Sequence, residues 1–126
     1  MTIVVLDTNA LLLPFTEGTR IEDGLEALFD EVEMVVPACV KSELEQISRG
    51  KSNVARHAKA ALKLCANFRA EATKYTGDDG ILELARRLRA TILTNDRILQ
   101  SEAAKSGLQV VVAREHGRLA LMKSGS

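Results

Sequence analysis

The stretch Ile3-Val4-Val5-Leu6-Asp7-Thr8-Asn9 decides the fold. Its four leading residues are continuously apolar and rich in β-branched side chains. That pattern belongs to a strand covered on both faces, as in a parallel sheet, rather than to a half-solvated strand that alternates. Asp7 follows at once, so the strand delivers a carboxylate to the carboxyl edge of the sheet, where open α/β sheets bind their ligands. Three more acidic points stand at similar junctions downstream: Glu43, the pair Asp78-Asp79, and Asp96.

Outward from that strand the chain reads as alternating strands and helices. An acidic amphipathic helix is predicted around Ile21, Leu25, Leu28 and Phe29. Met34-Val35-Val36 forms a second short strand closed by Pro37, which suits the first turn of a helix carrying Val40, Leu44 and Ile47 and ending near Gly50. A basic helix follows, with Ala58, Ala61, Leu62 and Cys65 on one side and Arg56, Lys59 and Lys63 on the other. Gly77 marks a break, and Asp78-Asp79 open a helix through Ile81, Leu82, Ala85 and Leu88. Thr91-Ile92-Leu93-Thr94 is a third strand, residues 97 to 105 a helix, and Gln109-Val110-Val111-Val112 a fourth strand. The expected architecture is α/β, with a mostly parallel sheet covered on both faces. One domain is expected over residues 1–120 and a flexible tail over 121–126, with no internal repeat or long linker.

The 126 residues carry no net charge, but the charge is unevenly distributed. Residues 1 to 45 hold ten Asp/Glu against two Lys/Arg, whereas residues 46 to 77 hold seven Lys/Arg against one Glu. The basic block, including Arg49, Lys51, Arg56, Lys59 and Lys63, is a candidate nucleic-acid face, with a solvated helix surface as the plain alternative. Overall neutrality argues against strong nonspecific binding to duplex DNA. The aromatics are few (Phe15, Phe29, Phe68 and Tyr75), so stacking is expected to contribute little to recognition. No apolar run approaches the ~20 residues that span a bilayer, and no signal segment opens the chain, so the expected location is cytoplasmic. Cys39 and Cys65 lack metal-ligand spacing and are expected to be reduced, buried thiols.

Each acid has an ordinary structural use as well. Asp7, Asp78 and Asp96 all suit helix N-caps, and Glu43 suits an exposed helix face. Together they suggest more, because clustered carboxylates repel unless a cation compensates. Mg²⁺ and Mn²⁺ accept oxygen ligands and water, and such a site activates water against phosphorus. Other chemistries fit less well. A haloacid-dehalogenase-like phosphatase needs an Asp where Asn9 stands, and a phosphorelay receiver needs an early acidic pair and a late-strand Lys. A His-based ribonuclease is disfavoured by the placement of His57 in the basic helix and His116 in the tail.

Four segments in order resemble the PIN-domain family: Val5-Leu6-Asp7-Thr8-Asn9-Ala10-Leu11, Pro37-x-x-Val40-x-x-Glu43-Leu44, Asp78-Asp79-Gly80-Ile81-Leu82-x-Leu84-Ala85 and Leu93-Thr94-Asn95-Asp96-x-x-Leu99. The resemblance spans nearly the whole chain. It implies a three-layer α/β/α fold and a Mg²⁺- or Mn²⁺-dependent endoribonuclease acting on single-stranded or structured RNA. It also implies that Asp7, Glu43, Asp79 and Asp96 are the catalytic metal ligands, with Asp78 an alternative or supporting one. Asn9, Thr94 and, more weakly, Asn95 match positions that orient those ligands. A homodimer is implied too. Two roles stay open: ribosomal-RNA processing with an assembly partner, favoured by the tail Arg114-Glu115-His116-Gly117-Arg118-Leu119, and a VapC-type toxin paired with an antitoxin. A non-catalytic RNA-binding module is the competing class.

Overall fold

The computed structural model describes residues 1–123. In chain order the elements are β1 (Thr2–Leu6), α1 (Thr8–Thr16), α2 (Ile21–Phe29), β2 (Val32–Pro37), α3 (Ala38–Ser48), α4 (Asn53–Cys65), β3 (Arg69–Glu71), α5 (Gly77–Leu88), β4 (Thr91–Leu93), α6 (Arg97–Lys105), β5 (Val110–Ala113) and β6 (Leu119–Leu121). The strands form one sheet in the order β3-β2-β1-β4-β5-β6. All neighbours pair in parallel except β5 and β6, which are antiparallel.

That order contains one reversal. From β1 the chain moves outward through β2 to β3, then returns across the sheet to add β4 on the other side of β1. Right-handed crossovers place the helices before and after such a reversal on opposite faces. The contacts follow this: α1, α3 and α4 pack on one another, α5 packs with α6 and lies against β1 and β2, and α5 also meets α3. The result is three layers, α/β/α, around a mostly parallel sheet, as the opening stretch predicts.

The core follows from the apolar runs. Val4, Val5 and Leu6 are fully buried, with Ile92, Leu93 and Val111 from the adjacent strands equally so. Each such side chain contributes about 1.5–3 kcal/mol relative to exposure. None of the described helices is long and apolar enough to cross a membrane. Both cysteines are free, Cys65 buried and Cys39 half-buried, and burial pushes the Cys65 thiol up.

Several elements differ from the sequence reading, each for a local reason. The segment between the first strand and Ile21 holds a separate helix, α1, in which Ala10, Leu11 and Leu13 are buried and Pro14 lies inside the last turns. Its Ala-Leu-Leu-Leu-Pro-Phe run shows no 3.6 period, so no amphipathic signal marks it. β3 is a charged edge strand, Arg69-Ala70-Glu71, pinned by Arg69 to Glu33 and Glu71. Pro37 ends β2 and stands at the N-cap of α3, one position before the predicted first turn. The segment from Arg114 forms a tight turn and returns as β6. Gly117 within it has φ +74°, and a Cβ there would collide with the Thr19 hydroxyl. The pairing reaches past the expected domain end at 120, because Leu121 lies in β6 and the Met122 N–H donates to Val110 O at 2.9 Å. The remainder of the expected flexible tail, residues 124–126, lies outside the described residues.

Candidate metal centre at the carboxyl edge

The reversal in strand order lies between β1 and β4, the place where open α/β sheets form a ligand crevice. Register decides what stands there. Leu6 of β1 is abreast of Leu93 of β4, so Asp7 and Thr94 leave the sheet side by side. The Thr94 hydroxyl donates to Asp7 Oδ2 in a short hydrogen bond. Asp7 Oδ1 accepts from the Ala10 N–H at 2.7 Å and so caps α1. The Thr94 hydroxyl also accepts from the Asp96 N–H at 3.0 Å, and Gln100 Nε2 donates to the Thr94 carbonyl at 3.0 Å. Thr94, fully buried, thus couples the first acid to the last.

Asp96 caps α6, its Oδ1 accepting from the N–H groups of Ile98 and Leu99 at 2.8 and 3.0 Å. Capping and a site role are therefore compatible in Asp7 and Asp96. Asp78 is different. Thr76 stands at the N-cap of α5 and makes no side-chain cap bond. Asp78 lies within the first turn, its carboxylate in no hydrogen bond with another described residue.

A cavity of about 90 Å³ is lined by Asp7, Thr8, Asn9, Cys39, Val40, Glu43, Gly77, Asp78, Ile81 and Asp96. Helical phase explains the set. Cys39, Val40 and Glu43 share one face of α3, and Asp78 and Ile81 are three apart on α5. Asp79, one residue and about 100° further round, lines a separate depression with Tyr75, Leu82, Glu83 and Arg86. The four acids brought together are thus Asp7, Glu43, Asp78 and Asp96. Gly80 sets their spacing, because a Cβ there would collide with the Tyr75 carbonyl and lie 2.9 Å from Cys39 Sγ. With no side chain at that position, α5 closes on α3 and brings Asp78 to Glu43.

The electrostatics show an uncompensated cluster. Burial pushes the Asp7 carboxyl up from 3.8 to about 6, and the nearby Asp96 and Asp78 add to the rise, against the lowering effect of the Thr94 and Ala10 hydrogen bonds. Asp78 is also raised, first by burial and then by Asp96, Asp79 and Glu43. Among the described residues every ion pair lies elsewhere. The carboxylate oxygens, with this much unrelieved repulsion, suit a hard divalent cation, for which the Cys39 thiol that shares the lining is a poor ligand. Yet among the described residues no three His, Cys, Asp or Glu side chains converge closely enough to enclose a bare ion. The cavity has room for water beside the acids. A divalent cation held there would have to keep part of its water shell, as Mg²⁺ usually does.

The other expected site residues are placed as follows. Asn9 is exposed and lines the cavity. Asn95 does not face it: its amide donates to Ala113 O at 3.1 Å and accepts from Ala113 N at 2.7 Å, tying β5 to the end of β4. Arg49 caps the carboxyl end of α3, Lys51 lies in the connection to α4, and Arg56, Lys59 and Lys63 are exposed along α4. None of these cations lines the acidic cavity. His57 is half-buried in α4, and His116 sits in the turn before β6 at φ +60°. Gly80 and Gln100 were not singled out as site residues. The close approach at Gly80 had a faint trace, a small residue straight after two acids in a helix.

Comparison with known proteins identifies the fold and the family. In solved structures the fold matches that of the PIN domain endonuclease Utp24 at TM-score 0.78, with 21% identity over 94% of this chain and 90% of that one. A domain of a functionally unknown protein from Methanocaldococcus jannaschii matches at 0.69, with 18% identity over 90% of this chain and 92% of that one. VapBC2 from Rickettsia felis, bound to a DNA fragment from its promoter, matches at 0.63, with 16% identity over 88% and 98%. At these identities the three show the fold alone. In sequence, the chain is 32% identical to Ribonuclease VapC9 of Archaeoglobus fulgidus over 118 residues, covering 91% of this chain and 85% of that protein. Residues 4–116 match the model of a PIN-like domain, and with that match the chain belongs to the PIN-like family.

Proposed function

We propose that the chain is a divalent-metal-dependent endoribonuclease of the cytoplasm, with Asp7, Glu43, Asp78 and Asp96 as the residues that hold Mg²⁺ or Mn²⁺. The observation that carries the reading is the four-acid cavity with a raised Asp7 and no cation of the chain among its lining residues. The similarity to Ribonuclease VapC9 supports RNA as the substrate. A divalent cation bound there would lower the pKa of a water and offset the charge that develops on the phosphoryl oxygens.

The chain's own residues supply the geometry. Thr94 and the start of α1 hold both oxygens of Asp7, and the start of α6 holds one oxygen of Asp96. Neither side chain therefore has to reorganise when substrate arrives, which is where electrostatic preorganisation acts. Asn9, exposed at the cavity wall, is placed to hydrogen-bond a bound water or a phosphate oxygen. Arg49, Lys51, Arg56, Lys59 and Lys63 would hold the RNA backbone away from the cut. In-line attack by water expels the 3′ oxygen and leaves a 5′-phosphate.

The test is cleavage of end-labelled RNA with Mn²⁺, Mg²⁺ or EDTA, followed by analysis of the new ends. Metal-dependent cleavage leaving 5′-phosphate ends is expected, and 3′-phosphate ends would overturn the mechanism. Of the two cellular roles, the VapC9 similarity favours a VapC-type ribonuclease paired with an antitoxin. Growth arrest on expression is then expected, whereas ribosomal-RNA precursors accumulating on deletion would assign the chain to processing. A homodimer joining two basic faces is part of the proposal, and light scattering checks it.

A further inference from the structure

The chain has one tyrosine and no tryptophan. Tyr75 lies just before α5, and its carbonyl packs against Gly80 where no side chain intervenes. The backbone of Tyr75 is thereby fixed to the helix that carries Asp78, while its side chain is 56% exposed. Beside the acidic cavity opens a groove of about 570 Å³ that shares Cys39, Glu43 and Gly77 with it. Ser42, Gln46, Thr73, Lys74, Tyr75 and Thr76 supply the rest of the groove's polar and aromatic lining. Tyr75 also lines the depression beyond, next to Asp79, and so forms the divide between the two.

We propose that this groove is a nucleotide subsite, in which the base beside the cleaved phosphodiester stacks on Tyr75. The proposal rests on the endoribonuclease reading and gives it a substrate class: RNA whose base is splayed from a single strand. Every base has a π face, so stacking on one aromatic is tolerant of sequence. In a duplex the same face is covered by neighbouring base pairs, and bases are read mainly where they are unstacked. Ser42 and Gln46 offer hydrogen bonds to the edges of a base, and Lys74 offers a cation to its phosphate. A protein side chain fits this lining less well, because the groove leads straight into the four-acid cavity, where a phosphodiester and its metal would sit. Scarce aromatics do not preclude stacking here, since one of the four stands at the mouth of the site.

A lone tyrosine makes emission a single-position reporter. The experiment titrates wild-type protein with an oligouridylate in Ca²⁺, which replaces Mg²⁺ so that RNA is held rather than cut. Binding is followed in parallel by anisotropy of an end-labelled copy. Quenched tyrosine emission at the same midpoint is expected, with little quenching by a duplex of equal length. Tyr75→Ala is expected to bind about tenfold more weakly, the effect of one lost base stack, and Tyr75→Phe to retain wild-type binding. In cleavage assays the Ala variant should raise KM with kcat nearly unchanged. Unchanged emission at saturating RNA, absence of RNA binding, or equal affinity of the Ala and Phe variants overturns the subsite. Quenching without metal-dependent cleavage would leave the subsite standing and remove the nuclease reading, while cleavage without quenching would do the reverse.

Discussion

The two edges of one sheet carry opposite kinds of cavity. At the amino edge, a depression of about 720 Å³ is lined by the starts of β1 and β4, the end of α5 and the turn after α6. Some of its polar groups pair with one another: Arg86 donates to Ser106 Oγ at 2.8 Å, and Thr91 to Gln109 Oε1 at 3.0 Å. At the carboxyl edge, a cavity of about 90 Å³ holds four acids and no cation. The larger space holds polar groups that pair with one another, and the smaller one holds like charges that repel. Uncompensated charge, rather than volume, singles out the carboxyl edge, because stability alone has no use for acids gathered around a buried, mutually repelled Asp7.

The comparison breaks most visibly at Asp7. Asp7→Asn removes the proposed ligand and should lower kcat/KM by roughly a thousandfold or more, the scale of several kcal/mol of lost charge stabilisation. Stability should move the other way. The folded Asp7 carboxyl titrates at about 6 instead of 3.8, and at ~1.4 kcal/mol for each pH unit its ionisation costs the metal-free fold about 3 kcal/mol at pH 7. Between those two values the folded chain binds more protons than the unfolded one. Metal-free stability therefore falls as pH rises from about 4 to about 6, and stays at the lower level above that. Melting temperature of the EDTA-treated protein across this range checks the sign.

The assignment within the acidic pair sharpens the comparison next. Asp78→Asn should weaken Mn²⁺ affinity about 10–100-fold, in line with the loss of one coordinating or supporting group. Asp79→Asn, on the neighbouring depression, should leave it nearly unchanged. Titration of Mn²⁺ by its water-proton relaxation measures both. Gly80→Ala comes third: the added methyl forces α5 from α3 at a cost of about 1–3 kcal/mol, and moves Asp78 away from Glu43. Denaturant melting and Mn²⁺ affinity should fall together. The smallest effect belongs to the amino edge, where Arg86→Ala should change stability by less than about 0.5 kcal/mol and leave cleavage intact.

Much of this was legible before any coordinates. Ile3 through Leu6 announced a doubly covered strand, and their end placed Asp7 at the working edge. Pro37-x-x-Val40-x-x-Glu43 held the helical phase that turns Glu43 toward the cavity beside Cys39 and Val40. Asp78 against Asp79 was not decidable, because Ile81 and Leu82 are both apolar and both buried, so periodicity favours neither phase. The structure resolves the phase through a tertiary contact, Gly80 on Tyr75 and Cys39. Asn95 misled for a related reason. Its neighbours carry the motif, but its partner, the backbone of Ala113, is contributed by a strand that pattern alone does not bring near. β3 and β6 were invisible because short edge strands of three residues, one of them Arg-Ala-Glu, bury too little to impose a pattern.

The most direct test of a hydrated divalent-cation site at the carboxyl edge is the melting temperature of wild type and Asp7→Asn, with EDTA and with Mn²⁺, at pH 7.5 and pH 5. The account predicts that Mn²⁺ raises the wild-type melting temperature at the higher pH and much less at the lower, where Asp7 takes up a proton. It also predicts that the variant melts above wild type in EDTA and gains little from Mn²⁺. Equal Mn²⁺ stabilisation of both proteins, or none for wild type at pH 7.5, would contradict it.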